Sequence, residues 1–87
     1  MSQYQIIFAK KAETDLDQII RNPRIKRRVN KLMDSIALDP RSGIGKPERL
    51  KHYEEEVWSR RIDSKNRIEY RITGDKIEIA SLLGHYE

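Results

Sequence analysis

"VWSRRIDSKNRIEYRITGDKIEIASLL", residues 57–83, is the stretch that decides the fold. Its segments 57–62, 67–73 and 76–83 are rich in β-branched and aromatic residues, and the polar sequences "DSKN" and "TGD" separate them. Strand-like segments with short polar breaks are typical of hairpins. We therefore predict an antiparallel meander in this part of the chain.

The middle segment of this stretch has a period of two residues. Side chains alternate between the two faces of a strand, so one face should pack against helices while the other stays polar and available for function. The apolar set is Ile68, Tyr70 and Ile72, and the charged set is Arg67, Glu69 and Arg71.

The sequence before the meander predicts a strand and a helix. "YQIIF" at 4–8 is rich in residues that favour strands. "AKKAETDLDQII" at 9–20 has apolar residues at helical spacing, which predicts an amphipathic helix. The predicted buried face of this helix is Ala12, Leu16, Ile19 and Ile20.

A second helix should follow after a short joint at residues 21–22. Asn22 suits the N-cap, Pro23 suits the first helical position, and Pro40 ends the helical pattern. Because brief connections usually join antiparallel neighbours, the joint indicates a helical hairpin. The predicted buried stripe is Ile25, Val29, Leu32 and Ile36.

These elements predict one α+β domain over residues 1–87. A chain of 87 residues fits a single small core. A small sheet has one apolar face to cover, and the two helices that precede it can cover that face. We expect the two N-terminal helices to pack on one face of a small, twisted, mainly antiparallel sheet in the order β-α-α-β-β-β-β.

Composition narrows the function classes. The chain has no cysteine and only 2 histidines, which excludes disulfides and thiolate sites, so we expect neither a metal nor a cofactor. No apolar stretch is long enough to cross a membrane, and the N-terminus lacks a secretory signal, so we expect a cytoplasmic protein. The net charge of +4 favours polyanionic partners.

Side chains suited to metal-free RNA cleavage are concentrated after residue 44. Such cleavage requires removal of the 2′-hydroxyl proton, stabilisation of a phosphorane and protonation of the 5′-oxygen, tasks that suit Glu, Arg and His. The candidates, among which Arg60 and His52 would bind RNA, are Glu48, Lys51, His52, Arg60, Arg61, Arg67, His85 and Tyr86.

Simpler explanations exist for several candidates. Glu48 can be a surface acid paired with Lys46 or Lys51, and such exposed pairs contribute little. Arg67 and Arg71 can form cross-strand pairs with acids such as Glu69 or Glu78. Strand parity predicts that Trp58 lies in the core and Arg61 on the opposite face, whereas the direction of His85 depends on a bulge near Gly84.

Four motifs carry a family resemblance. In order and spacing, "GKPERLKH" (45–52), "WSRRID" (58–63), "NRIEYRI" (66–72) and "GHY" (84–86) resemble the YoeB/Txe family of toxin endoribonucleases, within the broader RelE/ParE group. The resemblance implies a RelE-like fold. It also implies cleavage of mRNA at the ribosomal A site and a YefM-type antitoxin as partner. The basic stretch of the second helix can contact ribosomal RNA, and the oligomeric state stays open, with a homodimer as one option.

The resemblance also implies roles for individual residues. Glu48 would be the general base, Arg67 the transition-state stabiliser and His85 the general acid. Lys51, Arg61 and Tyr86 would position the RNA. Two alternatives remain at this point: a non-catalytic toxin like the ParE proteins that poison a DNA topoisomerase, and a basic module that binds the ribosome or RNA without cutting.

Overall fold

The computed structural model describes residues 4–85, with His85 described by its backbone alone. The predicted order of elements is confirmed. The elements are β1 (Gln5–Phe8), α1 (Lys10–Ile19), α2 (Pro23–Leu38), β2 (Glu48–Arg49), β3 (Glu56–Arg61), β4 (Asn66–Thr73) and β5 (Lys76–His85).

The strands form a single five-stranded sheet in the order β1-β5-β4-β3-β2. The pairs β2–β3, β3–β4 and β4–β5 are antiparallel, which confirms the meander, and β1 runs parallel to β5. The mainly antiparallel α+β class is therefore correct. The edges of the sheet are β1 and the very short β2.

The core lies between the helices and one face of the sheet. Ile68, Tyr70 and Ile72 point into it, as the two-residue period predicted. One predicted core residue is wrong: Ile20 is 60% exposed because it follows the end of α1, where the chain turns toward α2. The helix residues buried in the core are Ala12, Ile19, Val29, Leu32 and Ile36, and β5 adds Ile77, Ile79 and Leu82.

The second helix begins and ends as predicted. The Asn22 side-chain oxygen accepts a hydrogen bond from the backbone N–H of Ile25 at 3.3 Å, and Pro23 occupies the first helical position. The Asn22 side chain thus provides an acceptor for one N–H of the first turn that has no partner within the helix. Proline lacks an N–H, which costs nothing at this position because that group would have no partner within the helix either. Within residues 4–85, no helix has the length and apolarity required to span a membrane.

The buried side of α1 also carries a carboxylate. Asp15 is 4% exposed, and Lys11 donates to its two oxygens at 2.8 and 2.7 Å. Burial raises the pKa of Asp15, but hydrogen bonds from Lys11 and from the backbone of Leu82 and Leu83 outweigh burial and hold the pKa below its usual range. The folded state therefore favours the ionised form.

This depressed pKa predicts a loss of stability in acid. A carboxylate with a lower pKa in the folded state contributes stability that is fully present above its unfolded pKa of about 3.9 and disappears as the pH falls through the folded pKa. We expect Asp15→Asn to reduce the difference in unfolding free energy between pH 6 and pH 3. Urea unfolding at both pH values measures this, and an unchanged difference would contradict the assignment.

Candidate active site

The face of the sheet away from the helices, here called the open face, carries three of the candidate residues. Residues paired across neighbouring strands share a face. Glu48 pairs with Ser59, and Ser59 pairs with Glu69. Arg61 pairs with Arg67 in the next row that points the same way. Glu48, Arg61 and Arg67 therefore lie on the open face.

The segment before Glu48 is held close to the core. Gly45 has a φ of 83°, and a Cβ there would lie 2.5 Å from Leu32 Cδ2, so only glycine fits this position. The backbone N–H of Arg61 donates to the carbonyl of Gly45 at 2.7 Å. On the other side of β2, Leu50 N–H donates to the carbonyl of Val57 at 2.8 Å. The strand that carries Glu48 is thus fixed at both ends.

Glu48 itself faces solvent. Glu48 is exposed, and within the described part of the chain its carboxylate has no hydrogen-bond or ion-pair partner. The simpler explanation, a surface pair with Lys46 or Lys51, does not occur in this structure. A carboxylate on an anchored strand with its oxygens available is suited to accept a proton from a substrate.

Arg67 lies on β4, half-buried on the open face. Its Nη1 donates to the hydroxyl oxygen of Ser59 at 3.4 Å. Ser59 is 3% exposed and is also the strand partner of Glu48, so a small hydroxyl side chain lies between the carboxylate and the guanidinium. Sequence reasoning missed Ser59, although its strand parity with Arg61 placed it on this face.

Positive charge is concentrated next to Arg67. Arg61 is exposed and lies directly opposite Arg67, and strand parity predicted that it would be on this face. Like charges at such opposite positions destabilise a sheet when no anion lies between them. An open cavity of about 240 Å³ adjoins this pair, and Lys65 and Ser64 also contribute to its walls. The carboxylate of Asp63 accepts hydrogen bonds from the backbone N–H groups of Lys65 and Asn66 at 2.8 and 2.7 Å.

Arg60 points in the opposite direction and is completely buried. The structure contradicts the prediction that Arg60 binds RNA, because its guanidinium is not accessible to solvent or to a ligand. It donates instead to the hydroxyl oxygens of Tyr70 at 2.9 Å and Ser35 at 2.7 Å. Three backbone carbonyls complete the set: Asp39 at 2.7 Å, Ser42 at 2.8 Å and Ile44 at 3.1 Å.

The simpler explanations for Trp58 and Arg71 are confirmed. Trp58 is partly buried against the core, and its Nε1 donates to Glu56 Oε2 at 2.9 Å. Arg71 Nη1 lies 3.8 Å from Glu78 Oε1 on the neighbouring strand. Neither residue belongs to the candidate site.

The remaining candidates differ in how well they are placed. Lys51 and His52 are both exposed on the connection from β2 to β3, and the His52 ring lies 4.3 Å from that of Tyr53. The backbone of His85 ends β5 opposite Asn66, one position beyond the Gly84–Arg67 pair. Tyr86 and the His85 side chain lie outside the described residues.

The strand that carries His85, β5, pairs irregularly with β4. The β4–β5 register shifts between Arg67 and Glu69 and again between Glu69 and Tyr70. Between residues 4 and 85, no cluster of three or more His, Cys, Asp or Glu side chains is arranged to hold a metal ion. The chemistry available on the open face is that of a carboxylate beside guanidinium groups.

Comparison with known proteins identifies the family. The model of the YoeB-like toxins of bacterial type II toxin–antitoxin systems matches residues 8–86. This chain belongs to the YoeB toxin family. A YoeB toxin from Streptomyces coelicolor is 43% identical over 63 residues, which cover 72% of this chain and 75% of that protein.

Solved structures of YoeB proteins share the fold. The YoeB dimer from Staphylococcus aureus aligns with a TM-score of 0.83 and 33% identity over 98% of this chain and 100% of that one. The heterotetrameric YoeB–YefM toxin–antitoxin complex from the same organism aligns with a TM-score of 0.80, 33% identity and the same coverage. The YoeB match includes the positions of Glu48, Arg67 and His85.

Proposed function

We propose that this protein is a ribosome-dependent endoribonuclease toxin that cuts mRNA at the codon in the A site and so inhibits translation. The observation that carries the proposal is the shared open face of Glu48 and Arg67, with Ser59 between them. A proton acceptor beside a guanidinium supplies two of the three tasks that metal-free RNA cleavage requires.

In the proposed mechanism, Glu48 removes the proton from the 2′-hydroxyl, which attacks the adjacent phosphorus. Arg67 stabilises the negative charge that accumulates on the phosphorane oxygens. His85 donates a proton to the departing 5′-oxygen, so a 2′,3′-cyclic phosphate and a free 5′-hydroxyl result. All three roles are carried by side chains, and no cofactor takes part.

The RNA is held by the cations and rings around this centre. Arg61 and Lys51 supply exposed positive charge to phosphates, while Tyr86 and His52 contact the nucleotides. Arg60 does not belong to this set because it is buried. Ribosomal RNA is a further polyanionic partner for the basic surface.

A YefM-type antitoxin is the proposed protein partner. The S. aureus relative is known in a complex with YefM and as a dimer, which supports an antitoxin and a homodimer for this chain. An antitoxin segment that folds across the basic open face would compete with RNA. We propose that both partners meet the toxin in the cytoplasm, where translation occurs.

Primer extension on a defined mRNA tests the function. The mRNA is incubated with the purified toxin alone or with ribosomes that hold a known codon in the A site. A new 3′ end in that codon, formed with ribosomes present, is the expected result. Arrested translation with intact mRNA would instead indicate a binding inhibitor, and inhibition of gyrase supercoiling without mRNA cleavage would indicate a ParE-like toxin.

The exposed guanidinium of Arg61 predicts a specific binding defect. Each cation that contacts a phosphate of single-stranded RNA contributes about 0.7 to the slope of log affinity against log salt. We expect Arg61→Met to weaken binding to a 2′-deoxy-substituted RNA that cannot be cut and to lower this slope by about that amount. Fluorescence anisotropy at four salt concentrations measures it, and an unchanged slope would remove Arg61 from the RNA surface.

A further inference from the structure

Asp15 connects α1 to the C-terminal strand. Its Oδ2 accepts hydrogen bonds from the backbone N–H groups of Leu82 at 3.0 Å and Leu83 at 3.1 Å. Asp15 is separated from these residues by 67 and 68 positions in the chain. A buried carboxylate on a helix is therefore bonded to two consecutive amides of β5, directly before Gly84 and His85.

Two consecutive amides on one oxygen mark an irregular strand. In a regular strand, successive N–H groups point to opposite sides and bond to different neighbours. Here Ser81 pairs with Glu69 while Gly84 pairs with Arg67, so β5 takes three steps where β4 takes two. A bulge of this kind leaves backbone groups without a ladder partner, and a buried N–H needs one. Asp15 supplies the acceptor.

The end of β5 is held by its pairing with β4 and, at the bulge, by Asp15. Leu83 and Gly84 border an open cavity of about 660 Å³ that is also lined by Lys11, Asp15 and Ile25. Leu82 is buried in the core, whereas Leu83 beside this cavity is only partly buried. Lys11 pairs with Asp15 but is itself exposed, and the hydrogen bonds that the described structure shows for its ammonium group go to Asp15. The hydrogen bonds from Leu82 and Leu83 to Asp15 therefore support the bulge where the strand ladder is irregular.

We propose that Asp15 is a positioning residue that fixes the bulge in β5 and thereby sets where His85 stands relative to Arg67. This inference rests on the proposed function, in which His85 protonates the leaving oxygen. Loss of the carboxylate would let the strand end shift, and a displacement of about 1 Å in a catalytic group can cost about 10²-fold in rate.

Two measurements on Asp15→Ala separate positioning from general damage. Amide hydrogen exchange should show that Leu82 and Leu83 lose protection while β3 keeps it. Single-turnover cleavage on programmed ribosomes should fall roughly 10²-fold with native mRNA. Cleavage should stay near the wild-type rate with an mRNA that carries sulfur in place of the scissile 5′-oxygen, because that leaving group departs without a general acid.

Matched variants keep the test decisive. Asp15→Asn keeps an acceptor oxygen, so it should recover most of the protection and the rate even where Asp15→Ala folds poorly. Lys11→Ala removes the ion pair but leaves the hydrogen bonds from Leu82 and Leu83 to Asp15. Asp17→Ala removes an exposed carboxylate of the same helix. Both should resemble the wild type in exchange and cleavage.

The outcomes distinguish this inference from the proposed function. Equal losses on both substrates would overturn positioning of the acid step, and so would native cleavage that survives the loss of protection. A wild-type protein that cuts neither substrate would refute the nuclease proposal itself. The exchange data would still decide whether Asp15 holds the strand, and protected amides at 82 and 83 in Asp15→Ala would overturn that.

Discussion

Glu48→Gln is expected to slow mRNA cleavage by about 10²–10⁴-fold, the range by which a general base accelerates proton transfer. The amide has the shape of the carboxylate but cannot take up the 2′-hydroxyl proton. Because Glu48 is exposed and no hydrogen bond or ion pair within the described chain involves its carboxylate, the fold should not change. We expect the free energy of unfolding to stay within about 0.5 kcal/mol of the wild type.

The measurement combines single-turnover primer extension with a ribosome-binding assay. Glu48→Gln should bind programmed ribosomes close to the wild-type level and lose cleavage. Glu13→Gln is the matched control, because it makes the same change at an exposed position of α1, on the side of the sheet that the helices cover. It should retain full activity.

A second acid on the open face makes this prediction discriminating. Glu69 is the strand partner of Ser59 on the side away from Glu48, so it is the other carboxylate in that row. Full cleavage by Glu48→Gln together with a large loss in Glu69→Gln would move the general base to Glu69. Equal loss of ribosome binding and cleavage in Glu48→Gln would make Glu48 a binding residue.

The fold could be predicted because its signals are local. The two-residue period of β4 gave its buried face, and Asn22 with Pro23 marked the start of α2. Both features depend on residues that are close in sequence, so long-range contacts did not alter these two predictions. Ile20 failed for a related reason: helical spacing continues through it, but the helix ends one residue earlier and the chain turns outward.

The site was less predictable because it depends on distant contacts. Parity placed Arg61 and Arg67 on one face, but a strand of two residues such as β2 has no period to reveal which way Glu48 points. The direction of β5 near His85 depends on register shifts and on a carboxylate contributed by α1. Parity also could not show that residues 39–44 fold over Arg60.

Arg60→Met is expected to destabilise the protein by at least about 3 kcal/mol, since each buried polar group left without a partner costs about 1–3 kcal/mol. The backbone carbonyls of Ser42 and Ile44 lose their donor when the guanidinium is removed, and the carbonyl of Asp39 keeps only a 3.4 Å hydrogen bond from the N–H of Ser42. Methionine fills similar space but donates no hydrogen bond. For a domain of this size, 3 kcal/mol corresponds to a fall in Tm of roughly 12–24 °C.

Arg61→Met is the matched control for this variant. The two residues are adjacent and identical in type, but the strand turns one into the core and the other toward solvent. A surface substitution usually changes the free energy of unfolding by no more than about 0.5 kcal/mol, so Arg61→Met should keep Tm within about 2–4 °C of the wild type. It should also weaken RNA binding. Calorimetry on both proteins measures the contrast, and equal Tm values would contradict the buried role of Arg60.

The buried guanidinium also connects stability to the site. Arg60 ties residues 39–44 to β3, and the chain continues from there through Gly45 to Glu48. Arg60→Lys keeps a positive charge but has three donors on a single nitrogen, which cannot reach carbonyls spread around a planar group. We expect Arg60→Lys to be less stable than the wild type and to cleave more slowly at temperatures where it is still folded. Wild-type cleavage by folded Arg60→Lys would show that the loop does not set the position of Glu48.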